Sequence, residues 1–170
     1  MSAKGVIILG SSRSKGNTHT VVSELQQQTG FDLIDLKAYK INHFEYDLKN
    51  EDDFNALFKK LTANYETFVF ATPIYWYTMS GVMKVFFDRI SDFLFEEKEI
   101  GRRLRGMNMG VMSCGSDQET KKGFEMPFVE SANYLGMEYV GHIHTWIENR
   151  KIPQTVQQRI TEFANRLMKK

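Results

Sequence analysis

The clearest indication of the fold lies in Val6-Ile7-Ile8-Leu9-Gly10, which is followed by Ser11-Ser12-Arg13-Ser14-Lys15-Gly16-Asn17-Thr18. The first part is a continuous apolar run that ends at a glycine, as expected for a strand buried on both faces. The polar loop then leads into a segment in which Val21, Val22 and Leu25 repeat at helical spacing. We therefore predict a strand, a loop and a helix in direct succession.

The same alternation recurs along the rest of the chain. Apolar runs predict further strands at residues 31–36, 68–71, 107–113 and 137–143. Helices are predicted where apolar residues recur at spacings of three and four: Phe54, Leu57, Phe58 and Leu61; Val82, Phe86, Ile90 and Phe93, from near Ser80; Phe128, Ala132 and Leu135; Val156, Ile160, Phe163 and Leu167. Such an order produces parallel strands with right-handed crossovers. We predict an α/β fold with a three-layer, doubly wound, five-stranded parallel sheet in the order 2-1-3-4-5.

The loop after the first predicted strand carries groups that bind a phosphate monoester. Ser11, Ser12 and Thr18 supply hydroxyls, and the start of the following helix supplies free backbone N–H groups. Arg13 adds a guanidinium. The loop lacks the Gly-x-x-x-x-Gly-Lys-Ser/Thr pattern of nucleoside triphosphate sites, and Ser12 replaces the second glycine of dinucleotide sites. The alternative is a polar turn with an Asn or Thr helix cap.

Three successive aromatic residues follow the third predicted strand, in Thr72-Pro73-Ile74-Tyr75-Trp76-Tyr77. We expect the proline to end the strand, which places these rings in a loop, where an isolated domain rarely exposes them. A tricyclic flavin ring offers a matching flat, apolar face. Alternatively, the aromatic residues cover the sheet edge or a subunit interface, and both interpretations can hold together.

A third loop of small residues, Ser113-Cys114-Gly115-Ser116-Asp117, follows the fourth predicted strand. In doubly wound sheets, ligands bind beyond the carboxyl ends of the strands, and FMN in flavodoxin illustrates this rule. In the order 2-1-3-4-5, strands one, three and four are neighbours. The three loops are therefore expected to meet in one crevice.

Two motifs and their order resemble the NADPH-dependent FMN reductase-like family of flavodoxin-fold NAD(P)H oxidoreductases. That family carries Gly-Ser-x-Arg-x-x-Gly-Asn-Thr, matched here by Gly10-Ser11-Ser12-Arg13 with Gly16-Asn17-Thr18. It also carries Thr/Ser-Pro-Ile-Tyr-Trp and then Ser-Gly-x-Met-Lys-x-Phe-x-Asp-Arg, matched by residues 72–76 and by Ser80-Gly81-Val82-Met83-Lys84-Val85-Phe86-Phe87-Asp88-Arg89. The resemblance implies one flavodoxin-like FMN-binding domain over residues 1–170, with NADPH or NADH as co-substrate.

By this resemblance, the first loop holds the FMN phosphate and the other two loops line the FMN ring. The implied FMN-binding residues are Ser11, Ser12, Arg13, Gly16, Asn17, Thr18, Pro73, Ile74, Tyr75, Trp76, Tyr77, Ser113, Cys114 and Gly115. No catalytic side chain or metal ligand is expected, because the cofactor carries the chemistry. The related iron–sulfur flavoproteins have a cysteine motif after strand two, whereas residues 37–53 contain no cysteine. We therefore expect a flavin without a cluster.

The expected function is an FMN-dependent NAD(P)H oxidoreductase that passes electrons to a small acceptor, namely a quinone, a flavin, or a nitro or azo compound. The alternatives are a flavodoxin-type electron carrier and an FMN-binding regulator without NAD(P)H turnover. Carriers of the flavodoxin type are usually strongly acidic, which suits docking to basic partners. The net charge of +1 and the presence of Arg13 in the phosphate loop favour the enzyme.

Composition limits the partners and the compartment. The 170 residues, 42% of them hydrophobic, suit a single domain, and a net charge of +1 gives no general attraction to nucleic acid or anionic lipid. No run approaches the roughly 20 apolar residues of a membrane span. The single cysteine fits a reducing compartment, so we expect a cytoplasmic protein. The aromatic loop and the Phe-rich third helix suggest a homodimer or a higher homo-oligomer.

Five individual residues have simpler interpretations. Cys114 is interpreted as a small buried residue. His142 and His144 lie at a spacing of two on one strand face, and they bind a metal only if a third ligand comes from elsewhere. Asp88 and Arg89 are predicted to form an ion pair at a helix edge or an interface.

Overall fold

The computed structural model describes residues 4–46 and 51–169, and a mostly parallel sheet forms its centre. The strands are β1 (Gly5–Leu9), β2 (Asp32–Asp35), β3 (Thr67–Tyr75), β4 (Thr78–Met79), β5 (Asn108–Gly115) and β6 (Glu138–Trp146). The parallel order is β2-β1-β3-β5-β6, and the two-residue β4 pairs antiparallel with β3. The predicted order 2-1-3-4-5 is confirmed, because β5 and β6 are the predicted fourth and fifth strands. The short β4 was not predicted.

Helices cover both faces of the sheet, which confirms the three-layer prediction. They are α1 (Asn17–Thr29), α2 (Phe54–Asn64), α3 (Gly81–Arg89), α4 (Asp92–Phe95), α5 (Lys98–Arg102), α6 (Met126–Leu135) and α7 (Gln154–Met168), with a 3-10 turn at Leu36–Ala38. Within the described ranges, none of these helices is long and apolar enough to cross a bilayer.

Alternation along β1 divides the core into two layers. Val6 and Ile8 pack in the layer that contains buried residues of α2, α3 and α6. Ile7 and Leu9 pack on the opposite face, in the layer that contains buried residues of α1 and α7. All four side chains are fully buried, as expected of a strand that lies between two helical layers.

The prediction that Pro73 ends the third strand was wrong. β3 continues to Tyr75, and Pro73 lies opposite Cys114 of β5. The carbonyl oxygen of Ala71 accepts a hydrogen bond from the N–H of Gly10 at 2.8 Å, so residues 71 and 73 direct their polar groups towards β1. Since β1 ends at Leu9, an N–H at position 73 would have no strand partner. Proline therefore costs the sheet no hydrogen bond here.

The helix predicted from near Ser80 is divided into α3 and the short α4. Phe86, Ile90 and Phe93 are buried as predicted. Met83 is fully buried, whereas Val82, which was predicted on the buried stripe, is only half-buried. Met83 packs directly on Gly10, where an added Cβ would lie 2.8 Å from the Met83 Cβ. The buried stripe therefore begins at Met83 rather than at Val82.

Arg89 forms ion pairs, as predicted, but it does so within the protein interior rather than at a helix edge or a subunit interface. Its guanidinium is fully buried and lies 2.5 Å from Asp52 Oδ2 and 2.8 Å from Asp92 Oδ2. It also donates to the carbonyl oxygen of Asn42 at 3.1 Å. Asp88 instead pairs with Lys84 at the surface. Arg89 therefore joins α3 and α4 to the segment that precedes α2.

Candidate functional site

The loop between β1 and α1 places polar groups around a helix start. Ser11 and Thr18 are buried, whereas Ser12, Arg13 and Asn17 are exposed. The Arg13 N–H donates to Ser11 Oγ at 3.2 Å, which turns the chain within the loop. The loop therefore offers an exposed guanidinium and an exposed amide beside hydroxyl groups.

The donor groups of this loop fit a phosphate. Gly16 is the N-cap residue of α1, and no side chain accepts a hydrogen bond at this cap. The first turn of α1 contains no acidic residue. A helix N-terminus of this kind attracts an anion through its N–H groups and its dipole. The chemistry of the loop thus matches the phosphate end of FMN.

Two buried hydroxyl groups that we did not predict as site residues lock the loops together. Ser80 Oγ donates to the carbonyl oxygen of Gly10 at 2.5 Å and accepts from the Met83 N–H at 3.1 Å. Thr72 Oγ1 accepts from the Ser80 N–H at 2.9 Å. Ser80 was recognisable from the sequence as a helix start. Its bond to Gly10 spans 70 residues and arises only from the fold.

The three aromatic residues form the tip of a β-hairpin rather than an irregular loop. Tyr75 pairs with Thr78, and Trp76 and Tyr77 are the two turn residues, with φ angles of 48° and 67°. Positive φ at both positions is the pattern of a type I′ turn, which normally contains Asn and Gly. Trp76 is 92% exposed and Tyr77 is 65% exposed. Two strained, bulky residues are therefore held out towards solvent.

The hairpin contacts the loop between β1 and α1 directly. Tyr75 OH lies 2.9 Å from Ser12 Oγ, across 63 residues of sequence. Because the two loops belong to the neighbouring strands β1 and β3, they reach the same edge of the sheet. This contact brings the first two predicted site segments together.

The end of β5 contributes backbone rather than exposed side chains. Ser113 and Cys114 are buried, whereas Gly115 lies at the surface of a cleft. Burial raises the pKa of the Cys114 thiol, and hydrogen bonds with Thr145 and Thr18 only partly offset this effect. The interpretation of Cys114 as a small buried residue is confirmed.

A cleft of about 220 Å³ lies between the hairpin and the segment after β5. Its lining combines aromatic rings with polar groups and comprises Ile74, Trp76, Tyr77, Gly115, Ser116, Asp117, Glu119, Thr120, Lys121, Phe124 and His144. The cleft therefore joins the second and third predicted site segments. The sequence had not indicated that residues 119–124 and His144 would line it.

His142 and His144 lie on one face of β6, as predicted, and both contact Ser113. Ser113 Oγ is 2.8 Å from His142 Nε2 and 2.7 Å from His144 Nδ1. Burial, together with the neighbouring His144, lowers the pKa of His142 to about 4. Burial also lowers the pKa of His144. The part of the chain that the structure describes contains no group of three residues able to hold a metal ion.

The fold is that of a flavodoxin-like α/β protein, with an uncapped helix start and exposed aromatic residues at one edge of the sheet. Residues 3–151 match the model of the family described as NADPH-dependent FMN reductase. The chain belongs to this family, and it is an FMN-dependent NAD(P)H oxidoreductase.

Individual relatives agree with this assignment. The chain is 28% identical to YwqN of Bacillus subtilis (strain 168), which carries the name of an NAD(P)H-dependent FMN-containing oxidoreductase, over 82% of this chain and 83% of YwqN. Two solved structures share the fold. The Trp repressor binding protein of Bacillus subtilis has a TM-score of 0.73 and 24% identity, over 98% of this chain and 99% of that protein. An FMN-dependent NADH-azoreductase of Bacillus anthracis, in complex with FMN, has a TM-score of 0.71 and 12% identity, over 97% and 99%.

Proposed function

We propose that this protein passes electrons from NADPH or NADH, through FMN, to a small planar acceptor such as a quinone, a free flavin, or a nitro or azo compound. The observation that carries the proposal is the exposed aromatic hairpin beside a shallow cleft. Trp76 and Tyr77 present flat apolar faces that stack on planar molecules with little selection of shape. Such a wall suits a broad class of aromatic acceptors.

In this proposal FMN lies across the three loops. Ser11, Ser12, Arg13, Gly16, Asn17 and Thr18 hold the phosphate, and residues 73–77 and 113–115 line the ring. Bound FMN supplies the electron-transfer chemistry, so the protein needs no nucleophile of its own. The side chains and backbone of this chain fix the position of the cofactor and leave one side accessible. The same proposal treats residues 1–170 as one domain.

The first test is an absorption spectrum of the purified protein with FMN, from about 300 to 600 nm, before and after NADPH is added without oxygen. Flavin bands that bleach within seconds, and return when a quinone, nitro or azo compound is added, would support the proposal. If the flavin bands return with only one of these acceptors, the class of acceptor that the protein uses is narrowed to that compound type. Protein that never binds FMN would contradict the proposal.

An electron carrier of the flavodoxin type is the competing function. The bands of a carrier or of an FMN-binding regulator would persist after NADPH is added. The observation against a carrier is electrostatic, because the net charge is +1 and Arg13 stands exposed in the phosphate loop. Carriers that dock on basic partners use an acidic surface.

Replacing Arg13 by alanine is expected to weaken FMN binding by about 10- to 100-fold. A charge-assisted hydrogen bond contributes about 1.5–3 kcal/mol, and each 1.4 kcal/mol is about tenfold in affinity. Arg13 is exposed, so the stability of the FMN-free protein should change little. Flavin fluorescence titration measures the dissociation constant. Lys15→Ala, in the same exposed loop, is the control, and an equal loss in both variants would point to general charge rather than a phosphate contact.

Changing the hairpin tip to Asn-Gly, with Trp76→Asn and Tyr77→Gly, is expected to have opposite effects on stability and on FMN affinity. The FMN-free protein should gain about 1–2 kcal/mol, because Asn and Gly adopt positive φ with less strain. Removal of both aromatic faces should weaken FMN binding by about tenfold. Urea unfolding and fluorescence titration measure the two effects.

The chain contains a matched control for this hairpin. Asn149 and Arg150 form another two-residue turn with positive φ, at 49° and 62°, between the paired residues Glu148 and Lys151. Arg150→Gly should raise stability by a similar relief of strain while leaving FMN affinity unchanged. A loss of FMN affinity in this control, or a loss of stability in the Asn-Gly variant, would contradict the prediction.

We also propose that two copies of the chain associate. The supporting feature is a groove of about 680 Å³ along α3, α4 and α6, with lining residues that include Phe87, Ile90, Leu94, Tyr134 and Leu135. Tyr134 is 77% exposed beside it. Sedimentation equilibrium should show a dimer that Tyr134→Glu weakens. A wild-type monomer at micromolar concentration would contradict the proposal.

A further inference from the structure

The segment after β5 forms one wall of the cleft, and two contacts anchor it to the end of β6. His144 Nε2 lies 2.9 Å from the carbonyl oxygen of Asp117. Gln118 Nε2 donates to Glu148 Oε1 at 3.3 Å. Asp117 and Gln118 are themselves exposed, so burial does not hold this backbone in place. Its position depends on hydrogen bonds with His144 of β6 and with Glu148, which follows β6.

The hydrogen-bond partners determine which nitrogen of His144 carries a proton. A carbonyl oxygen only accepts, so Nε2 must carry the hydrogen that points at Asp117. A neutral ring then has an unprotonated Nδ1, which accepts from the Ser113 hydroxyl at 2.7 Å. Ser113 Oγ in turn accepts from His142 Nε2–H at 2.8 Å. This chain of bonds orients the His144 donor towards Asp117.

Contacts with neighbouring side chains restrict the movement of the His144 ring. The imidazole stacks on the Trp146 ring with centroids 6.2 Å apart, and Trp146 Nε1 donates to Glu148 Oε1 at 2.7 Å. The Arg159 guanidinium lies over the Trp146 ring, 4.9 Å from its centroid. The guanidinium also donates to the His144 carbonyl oxygen at 3.3 Å. The His144 side chain is therefore fixed before any ligand binds.

The His144 ring also limits the position of Gly115. A Cβ added at Gly115 would lie 3.1 Å from His144 Cε1, a tighter approach than an ordinary van der Waals contact. The imidazole therefore lies directly beside the backbone at the start of the wall, while its Nε2–H holds Asp117 two residues later. One side chain contacts both ends of the three-residue wall.

We propose that His144 is a positioning residue, which through the Nε2–H bond to the Asp117 carbonyl and its packing against Gly115 holds the backbone of residues 115–117 in the shape that receives the flavin ring. This inference rests on the proposed function for its ligand. The contacts within the protein do not depend on it. His144 contacts the wall and acts on the ring through that wall.

Two substitutions distinguish the hydrogen bond of Nε2 with Asp117 from that of Nδ1 with Ser113. In His144→Gln, the side-chain amide places an N–H near the position of Nε2 and retains the donor to Asp117. In His144→Asn, the shorter amide reaches only the position of Nδ1, so it retains the contact with Ser113 and loses the bond to Asp117. Positioning of the wall predicts that Gln substitutes for His and that Asn does not. A purely structural role through Ser113 predicts the reverse order.

The first measurement is amide hydrogen exchange of the protein without FMN, followed in the peptide that covers residues 115–120. We expect exchange to become at least about tenfold faster in His144→Asn and to stay within about threefold of wild type in His144→Gln. Exchange in β5 and α1 should be unchanged in both variants, which shows that they remain folded. Gly115→Ala, which displaces the ring from the other side, should loosen the same peptide if His144→Asn fails to fold.

The second measurement is the FMN dissociation constant of wild type and both His144 variants by fluorescence titration. We expect it to rise about tenfold in His144→Asn and to change little in His144→Gln. Equal exchange in the two variants, or faster exchange in His144→Gln, would overturn the proposal that the bond from His144 to Asp117 holds residues 115–117 in place. Faster exchange of this peptide in His144→Asn, without a loss of FMN affinity, would overturn the role of residues 115–117 in receiving the flavin ring. Failure of the wild-type protein to bind FMN would overturn the proposed function. The exchange result would still show whether His144 holds residues 115–117 in place.

Discussion

Substituting methionine for Arg89 is expected to lower the free energy of unfolding by about 3–5 kcal/mol, because removal of one partner leaves a buried charge without compensation. The Arg89 and Asp52 side chains are both fully buried. Burial acts to raise the pKa of Asp52, but hydrogen bonds from Arg89 and from the backbone of Asn42 and Phe54 outweigh it, so the pKa lies below its usual value. Loss of Arg89 removes both a hydrogen bond and the positive charge that lower this pKa, while the burial that raises it remains, so the ionised Asp52 carboxylate becomes costly in the folded state. Urea unfolding of the FMN-free protein measures the change.

The control is the exposed ion pair one residue earlier in the same helix. Asp88→Asn removes the partner of Lys84, and both of these side chains are well exposed. Exposed pairs contribute about 0–1 kcal/mol, so this variant should remain close to wild type. A loss below about 1 kcal/mol in Arg89→Met would show that the Asp52 carboxylate reaches water or a proton once Arg89 is gone.

The second large effect is a loss of stability in mild acid. The pKa of His142 is about 4 in the folded protein, compared with about 6.5 in an unfolded chain. Below pH 6.5 the unfolded state binds a proton that the folded state does not, so stability falls as pH decreases from 6.5 towards 4. The 3.9 Å approach of the half-exposed Glu125 is too long to compensate the burial of a charged imidazole. The loss should reach about 3 kcal/mol near pH 4.

Urea unfolding between pH 7.5 and 4 in wild type and His142→Gln measures this effect. Glutamine places an N–H where His142 Nε2 donates to Ser113, and it does not titrate. The curve for His142→Gln should therefore be shallower in this window, with the pKa shift of His144 accounting for part of the loss that remains. Asp52, with a pKa below 3.8, loses its contribution only at lower pH. Parallel curves for the two proteins would refute the assignment to His142.

Local pattern was enough to predict the architecture. The apolar run of β1 and the spacing of Val156, Ile160 and Phe163 in α7 correspond to buried faces in the structure. These predictions succeeded because burial on two faces of a strand, or on one stripe of a helix, imposes a period on the residues themselves. The convergence of three loops followed from topology, since parallel strands end at the same edge. The contact of Ser12 with Tyr75 agrees with that expectation.

The hairpin was less predictable because its signals are not local. Pro73 is usually a strand terminator, and it is tolerated within β3 only because β1 has already ended beside it. Trp76 and Tyr77 are poor turn residues by propensity, and their positive φ angles follow from the pairing of Tyr75 with Thr78. Strain of this kind accumulates at functional sites, where local preference is overridden.

The α/β class, the strand order and the convergence of the loops at one edge of the sheet were predictable from the residue pattern alone. The contacts between distant residues became visible in three dimensions alone: Arg89 with Asp52, Ser80 with Gly10, and His144 with Asp117. The physical reason lies in the range of the interactions. Periodic burial and helix capping act between residues a few positions apart, and they leave a pattern that can be recognised in the chain. A buried hydrogen bond or ion pair selects its partner by distance and angle in three dimensions, and many polar residues along the chain would satisfy the same chemistry.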